Sequence, residues 1–560
     1  MQAPLTITLL SRRARAATIL ASPILAAPLT LAAAAGIAIT NPLEQAAGWV
    51  STATQLTVGI LWCCSVGYAA ARILTRKIPH APLHRRGASI ATADCRQNSA
   101  VPSAGGPAAV SSVGWRRARG RAARANTRAA PITLGGIPVP ASDETKHFKL
   151  LGTTGTGKST AVREILTQAL ERGDRAVIAD PDGGYLKRFY DKERDDLILN
   201  PFDRDAHRWD LFGEIETAYD VEQLARSLIP DQGGPDRSWT LYARTFFSSV
   251  TRQAWAAGVR DLGELYRLLV VADATELRQL LTGTPAQPFL EPHNMRMFDS
   301  IRSVASAAVG SLEYVAQQDG QPLSVRRWVR AGAAAANSRG ILFLPYRAGQ
   351  IAALRSSISA WMRLAVFEAM DQPEKDQRLW FVIDELDALG QIDGLKDALA
   401  RLRKFGGRCV LRFQSIAQVS ATYGSGDAQT IVENCGNSLL LRCSASEHGG
   451  TAAFASRLIG QREVLRLNTS RSRRPGDLFA ATTVSEHISI EPAVMEAEIE
   501  QLPDLQGYLK LASMPQWQRI RLDPPAEHAI PISAYRGSSR PAVNRATNTA
   551  APRGQLHEFE

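Results

Sequence analysis

Cysteine is scarce, with six in 560 residues at no regular spacing. That excludes a disulfide-built scaffold and a zinc ribbon. Cys63 and Cys64 sit in an apolar run, and Cys409 and Cys443 in strand-like segments, so buried thiols in a reducing compartment are expected. Charge is missing altogether from residues 16–43 and from residues 45–71. Net charge is also almost missing from the main body. Of the formal +11, residues 1–71 carry +2 and residues 72–130 carry +11, which leaves −2 on the other 430 residues. A basic pI therefore does not mark the main body as a nucleic-acid binder. What remains is a globular mixture, 45% apolar and 21% charged, which excludes a wholly disordered chain. At this length, two or three domains are expected rather than one core.

Each uncharged run exceeds the roughly 20 residues a helix needs to cross a bilayer. Only Glu44, beside Asn41 and Pro42, separates them, which suits a helical hairpin with a short outer turn. Arg12, Arg13 and Arg15 precede the first run, and Arg72, Arg76, Lys77, Arg85 and Arg86 follow the second. Positive charge at both outer ends places both in the cytoplasm. A signal peptide is the competing reading of the first run, and its length and the second run weigh against it. A buried soluble hairpin, suggested by Pro23, Pro28 and the alanines, is the other alternative. Residues 76–130 read as a basic, low-complexity linker ending in WRRARGRAARANTR. It is either a solvated connector or a juxtamembrane segment attracted to anionic lipid or nucleic acid.

The most specific signal is GTTGTGKST, from Gly152 through Thr153, Thr154, Gly155, Thr156, Gly157, Lys158 and Ser159 to Thr160. It fits the phosphate-binding pattern G-x-x-x-x-G-K-[ST]. Phe148, Leu150 and Leu151 read as a strand before it, and Ala161, Val162, Ile165, Leu166, Ala169 and Leu170 repeat at helical spacing behind it. In such a loop, backbone N–H groups close around phosphate oxygens and the helix N-terminus adds positive potential. Lys158 should reach the β and γ phosphates of ATP, and the Ser159 hydroxyl should ligate Mg²⁺. A second carboxylate-bearing strand is needed, and LWFVIDELDALG supplies it: Leu379 to Ile383 is an apolar run ending at Asp384 and Glu385. Asp384 is the expected magnesium acid, and Glu385 the base that orients and deprotonates the attacking water. Further on, Arg401, Arg403, Lys404 and Arg408 surround a helix and the strand Cys409 to Phe413, which ends at Gln414. Gln414 could sense the γ phosphate, and an arginine at that edge could stabilise transition-state charge in a neighbouring subunit.

With the two N-terminal runs, the strings DETKHFKLLGTTGTGKST, RAVIADPDGGY, LILNPFD, WDLF, LWFVIDELDALG and the later FQS and YG follow one another in order. In this the chain resembles the membrane-anchored type IV coupling proteins of conjugation systems, the TraD/TraG-type DNA-transfer ATPases, over most of residues 131–525. The resemblance implies a RecA-like α/β P-loop motor, a hexameric ring, and pumping of single-stranded DNA with its relaxase towards a type IV secretion channel at the bacterial inner membrane. Lys158 and Ser159 match the family's Walker A, and Asp384 and Glu385 its Walker B. By distance, Arg403 matches the arginine finger and Gln414 the glutamine ending the next strand. Residues 86–130 do not match the family's usual stretch.

The organisation expected is a transmembrane hairpin over 1–75, the linker over 76–130, and a nucleotide-binding domain split between 131–210 and 336–525. A mostly helical insertion occupies 211–335, and 526–560 reads as a disordered tail. Other readings are a small-molecule transporter ATPase, a double-stranded DNA pump of the chromosome-segregation type, and a recruiting scaffold without turnover. Two spans make too small a permeation path for the first, and no LSGGQ-like string precedes Asp384. The complete loop and acid pair speak against the last.

Overall fold

The computed structural model describes residues 57–63, 65, 83–91, 131–231, 236–334, 339–373, 377–446, 450–472 and 481–524. Most of both apolar runs, the stretch 92–130 and the tail lie outside these residues. Residues 57–63 are helical. Among the described residues no helix is long and apolar enough to cross a membrane. Cys63 is exposed, whereas Cys409 and Cys443 are buried and free, as is Cys435.

Two compact bodies divide the chain, residues 1–85 with 463–490 and residues 86–462 with 491–560. The first carries most of a three-stranded sheet ordered Leu83–Gly87, Gln461–Ser472, Ala481–Pro492. There Arg85 Nη1 donates to Glu463 Oε1 at 2.9 Å.

The second body is built on a ten-stranded sheet. Its strands are β1 (Ile90–Ala91), β2 (Phe148–Leu151), β3 (Arg175–Pro181), β4 (Leu197–Ile198), β5 (Ile341–Tyr346), β6 (Leu379–Asp384), β7 (Gly407–Phe413), β8 (Asn437–Leu440), β9 (Gln506–Lys510) and β10 (Trp517–Arg521). They lie in the order β1-β10-β9-β8-β2-β7-β6-β3-β5-β4. All pairings from β8 to β4 are parallel. β9 runs antiparallel to β8 and to β10. Residues 83–87 and 90–91, part of the segment read as a linker, are strand. β1 pairs with β10, and Ala88 and Ile90 pack against the core, so the local apolar residues win over the surrounding arginines.

Parallel strands covered on both faces read as largely apolar runs, and these do, interrupted by buried polar and charged residues such as Lys149 in β2, Asp180 in β3 and Arg408 and Arg412 in β7. In β6, Trp380 and Val382 enter one core while Phe381 and Ile383 enter the other, the period-two alternation of a strand. The first core is closed by helix α1 (Lys158–Glu171) through Ala161, Val162, Ile165, Leu166 and Ala169. Each fully buried Val, Ile or Leu there contributes about 1.5–3 kcal/mol relative to exposure. Helix α1 stops where Gly173 takes φ +89, a conformation costly for any residue with a Cβ. The opposite face is covered by helices α2 (Ala218–Leu228), α3 (Arg237–Ala256), α4 (Met295–Val309) and α5 (Ile351–Met370).

Between β4 and β5 the described elements are helices apart from one short parallel pair, Arg208–Trp209 with Pro322–Leu323. Thr217 opens α2, its N–H and Oγ1 both donating to Asp220 Oδ2 at 2.7 and 2.9 Å. Phe246 of α3 meets Phe298 of α4 edge-on at 5.3 Å, and Trp209 meets Trp361 of α5 at 5.8 Å. A buried carboxylate ties this layer together. Glu214 accepts from Trp209 Nε1 at 2.9 Å, Ser324 Oγ at 3.0 Å and the N–H groups of Val325 at 2.7 Å and Arg326 at 3.0 Å, and so caps the helix Val325–Ala334.

Candidate nucleotide site

The glycine loop follows directly from β2, whose four residues are all buried. Gly152, Gly155 and Gly157 have φ of +155, +79 and +112. A Cβ on Gly152 would lie 2.9 Å from Thr156 Oγ1, and one on Gly157 would lie 2.8 Å from Leu505 Cδ2. A Cβ on Gly155 would meet nothing within 4 Å, so that glycine serves the loop's conformation and its open side. The loop is pinned from behind. Thr153 N–H donates to Arg442 O at 2.8 Å, Leu505 N–H to Thr156 O at 3.0 Å, and Thr156 Oγ1 to Thr153 O at 2.8 Å.

Helix α1 begins at Lys158, with Gly157 at its N-cap and no side-chain cap. Its first N–H groups therefore face the loop's concavity without an intrahelical partner. Lys158 is buried and its ammonium curls back onto the loop, donating to Gly152 O and, at 2.6 Å, to Thr153 O. Burial, then the charge of Arg412, bring its pKa down to about 8 against the pull of Asp384.

The acid pair arrives on β6. Between β6 and β2 lies β7, whose Arg412 stands opposite Asp384 on one side and Leu150 on the other. Arg412 Nη1 donates to Ser159 Oγ and, at 2.6 Å, to Asp384 Oδ2. Arg412 Nε is 2.5 Å from Asp384 Oδ1, a close ion pair off the N–H direction, so neither atom gains a hydrogen bond from it. Tyr185 OH donates to Asp384 Oδ2 at 2.9 Å, and Tyr346 OH to the Asp384 backbone oxygen at 3.3 Å. Burial raises the Asp384 carboxyl, opposed by Arg412, Tyr185 and Lys158. Glu385 takes the left-handed φ of +72, which turns its partly exposed side chain away from the strand axis. Its carboxylate is 3.8 Å from Arg412 Nη2 and is also raised chiefly by burial.

The sequence-derived residues thus converge, with one exception. Gly152 to Thr160, Asp384, Glu385 and Gln414 meet at the carboxyl ends of the strands, where Gln414 Oε1 accepts from Thr154 Oγ1 at 3.2 Å. Arg403 lies in the exposed turn Arg403–Phe405 before β7, at the opposite end of a seven-residue strand. At about 3.3 Å per residue that is about 20 Å from its own loop. The group fits a magnesium nucleotide: three glycines shape a cradle, Lys158 stands in it, and Ser159 and a buried Asp384 supply hard oxygen donors, one of them without a hydrogen bond.

Residues 131–523 match the family described as the type IV secretion-system coupling protein DNA-binding domain. The chain belongs to that family. This coupling protein is 30% identical over 383 residues to the coupling protein TraD of Escherichia coli (strain K12), covering 68% of this chain and 53% of that protein. It thus spans about half the length of that curated relative. Among solved structures it resembles the plasmid coupling protein TrwB in complex with ADP and Mg²⁺, with a TM-score of 0.64 at 29% identity, over 80% of this chain and 95% of that one. TrwB in complex with a non-hydrolysable ATP analogue gives a TM-score of 0.64 at 28% identity, over 83% and 98%.

Four side chains of this coupling protein's site were not singled out from sequence. Asp180, at the end of β3, accepts from the N–H groups of Tyr185 at 3.0 Å and Leu186 at 2.7 Å, which fixes the turn that aims Tyr185 at Asp384. Burial raises the Asp180 pKa to about 6. With Tyr185 and Tyr346 it forms a polar wall beside the acid pair. The available signal was ADPDGGY itself, a polar cluster at the tip of an apolar strand. For Arg412 the signal was one cation inside CVLRF, a run otherwise fit for burial.

Proposed function

We propose that this coupling protein is an ATP-hydrolysing motor of a conjugative type IV secretion system. In this reading it brings a relaxase–DNA complex to the channel and drives single-stranded DNA through it. The supporting observation is the convergence of Lys158, Ser159, Asp384 and Glu385 at one sheet end, on a chain of the coupling protein family. The inserted β7 between the loop strand and the acid strand is the arrangement a RecA-like motor requires, with Gln414 at its tip.

Lys158 leaves the loop carbonyls to pair with β and γ phosphate oxygens, and the N–H groups of α1 and of the glycine loop bind the remainder. Ser159 Oγ and the Asp384 carboxylate would hold Mg²⁺, which when bound would neutralise charge building on the phosphates. Glu385 accepts a proton from the attacking water, and burial places its basicity above that of a free carboxylate. Gln414, anchored to Thr154, reports γ-phosphate loss to β7. Arg403, too distant to serve its own loop, acts on a neighbour's nucleotide in a homo-hexameric ring. The helical segment between β4 and β5 is the family's second domain, and the N-terminal apolar runs anchor the ring in the inner membrane with the motor in the cytoplasm.

The test is ATP turnover by the full chain in detergent, alone and with single- or double-stranded DNA of equal length. Stimulation by single strands is expected. Preference for duplex would favour a pump of the chromosome-segregation type, and absence of turnover would leave a recruiting scaffold.

A further inference from the structure

We infer that Arg412 is a resident counter-cation of this site, and that loading a magnesium nucleotide is an exchange of that guanidinium for the metal. The inference rests on the assignment of Ser159 and Asp384 as magnesium ligands made above.

Arg412 is 9% exposed and projects from the central strand between the loop strand and the acid strand. Its backbone is fixed on both sides by the sheet, and its carbonyl accepts from Leu386 N–H at 3.0 Å. The side chain therefore delivers its charge to a set place. That place is the space between Ser159 Oγ and both oxygens of Asp384. A guanidinium is planar, always charged and only a donor, so every lone pair it engages is withdrawn from a metal. Magnesium demands near-octahedral oxygen ligands at about 2.1 Å and tolerates no second cation among them. Ser159 and Asp384 cannot serve both at once.

The arrangement also answers a desolvation problem. A buried carboxylate with only Tyr185 OH on it would lack a cationic partner without metal, since Lys158 donates to loop carbonyls. Arg412 supplies that partner while the site awaits nucleotide. Once displaced, the guanidinium has an acceptor nearby in Glu385, 3.8 Å from Nη2. Metal arrival would then place a cation against the carboxylate that handles water.

The experiment uses the full chain, a fluorescent ADP analogue and a magnesium titration from EDTA. In Arg412→Met the Mg²⁺ concentration giving half-maximal binding should fall at least about tenfold, the factor matching loss of one hydrogen bond to a charged group. Arg412→Lys should lie between, because a single ammonium cannot bridge Ser159 and both carboxylate oxygens. Melting separates exchange from a structural role. Arg412→Met should melt below wild type in EDTA, and the gap should close on adding Mg²⁺ and ADP. An unchanged or higher magnesium midpoint in either variant, or a gap that persists with ligand, overturns the inference. If the Met variant does not fold, the Lys variant decides. Wild-type binding that ignores magnesium and survives Asp384→Asn overturns the metal site itself, and the exchange with it.

Discussion

Lys158 and Glu385 occupy one site, yet the proposed mechanism gives them separable work, so replacing each should fail in a different way. Lys158 is buried in the loop and its ammonium already donates to two carbonyls, the position from which it meets phosphate. Lys158→Ala removes two charge-assisted hydrogen bonds to phosphate oxygens, each worth about 1.5–3 kcal/mol. The carbonyls it leaves behind can still be reached by water at the open loop, which offsets part of that. A net loss of about 3 kcal/mol is expected, or roughly 150-fold in the dissociation constant of a non-hydrolysable ATP analogue. Glu385 is about one-third exposed, has no hydrogen bond to the loop, and stands nearest Arg412 at 3.8 Å. Glu385→Gln keeps its shape at the same left-handed φ and removes only the proton acceptor. Turnover should fall by about 10² to 10⁴, the range for loss of a general base, with affinity for the ATP analogue within about threefold of wild type. Equilibrium binding of a fluorescent non-hydrolysable ATP analogue and steady-state phosphate release, run on the same preparations, measure both quantities. Retained turnover in Glu385→Gln refutes the assignment of the base. A Glu385→Gln protein that binds as weakly as Lys158→Ala refutes the division of labour.

Mixing supplies a test of the shared site: Arg403→Ala and Lys158→Ala proteins, each inactive alone, should regain part of the ATPase activity in mixed rings, and mixed rings that stay dead would return Arg403 to a local role. An arginine donated in trans is worth about 10³- to 10⁵-fold in other P-loop enzymes, so recovery should stand well above background. His147 should make the fold acid-sensitive, because its Nδ1 accepts from Cys409 N–H at 3.1 Å and its Nε2 meets Leu399 O at 2.9 Å, which admits only the neutral ring. Burial, with Arg403 and Arg408 nearby, depresses its pKa from 6.5 to about 4, so between those values the unfolded chain binds a proton that the folded one refuses, and stability falls as pH drops through that window by on the order of 3 kcal/mol; denaturant midpoints should show this step in wild type and not in His147→Gln. For topology, reporters fused at residue 10 and residue 90 should both read as cytoplasmic and one at Glu44 as periplasmic, and a periplasmic signal at residue 90 overturns the hairpin.

What could be read from the chain was whatever is local. The glycine loop, its flanking strand and helix, and the acid strand are contiguous strings whose periodicity states their form, and β2, α1 and β6 lie where those strings place them. Strand order is not local. Nothing in GRCVLRF says that it runs between β2 and β6, and without that register Arg412 is merely a charge in an apolar run. The same blindness applies to residues 83–91, where HRRGASIA reads as basic linker until β10 offers Ile90 an edge to join. Tyr185 stood in a string noticed for its resemblance, but its target is 199 residues away.

The parallel sheet then explains why the five basic residues in and around β7 separate so sharply. In such a sheet all carboxyl ends face one way, and chemistry collects there because loops and helix N-termini converge on that edge. The amino ends are closed by packing. Arg408, at the amino end of β7, is buried against Glu144 at 2.8 Å, and Arg172 joins Glu144 and Asp174 at 2.6 Å each. Trp380 Nε1 donates to Asp174 at 2.9 Å, which seals the same end. These are balanced ion pairs whose loss would leave uncompensated buried charge, a structural role. Arg401, Arg403 and Lys404 are exposed beside that closed end. Only Arg412, four residues after Arg408 on the same strand, reaches the chemical end. A cation at an exposed amino edge can act on nucleotide only by meeting the carboxyl edge of another sheet, so any catalytic role for Arg403 requires a second subunit, whereas Arg412 acts within its own.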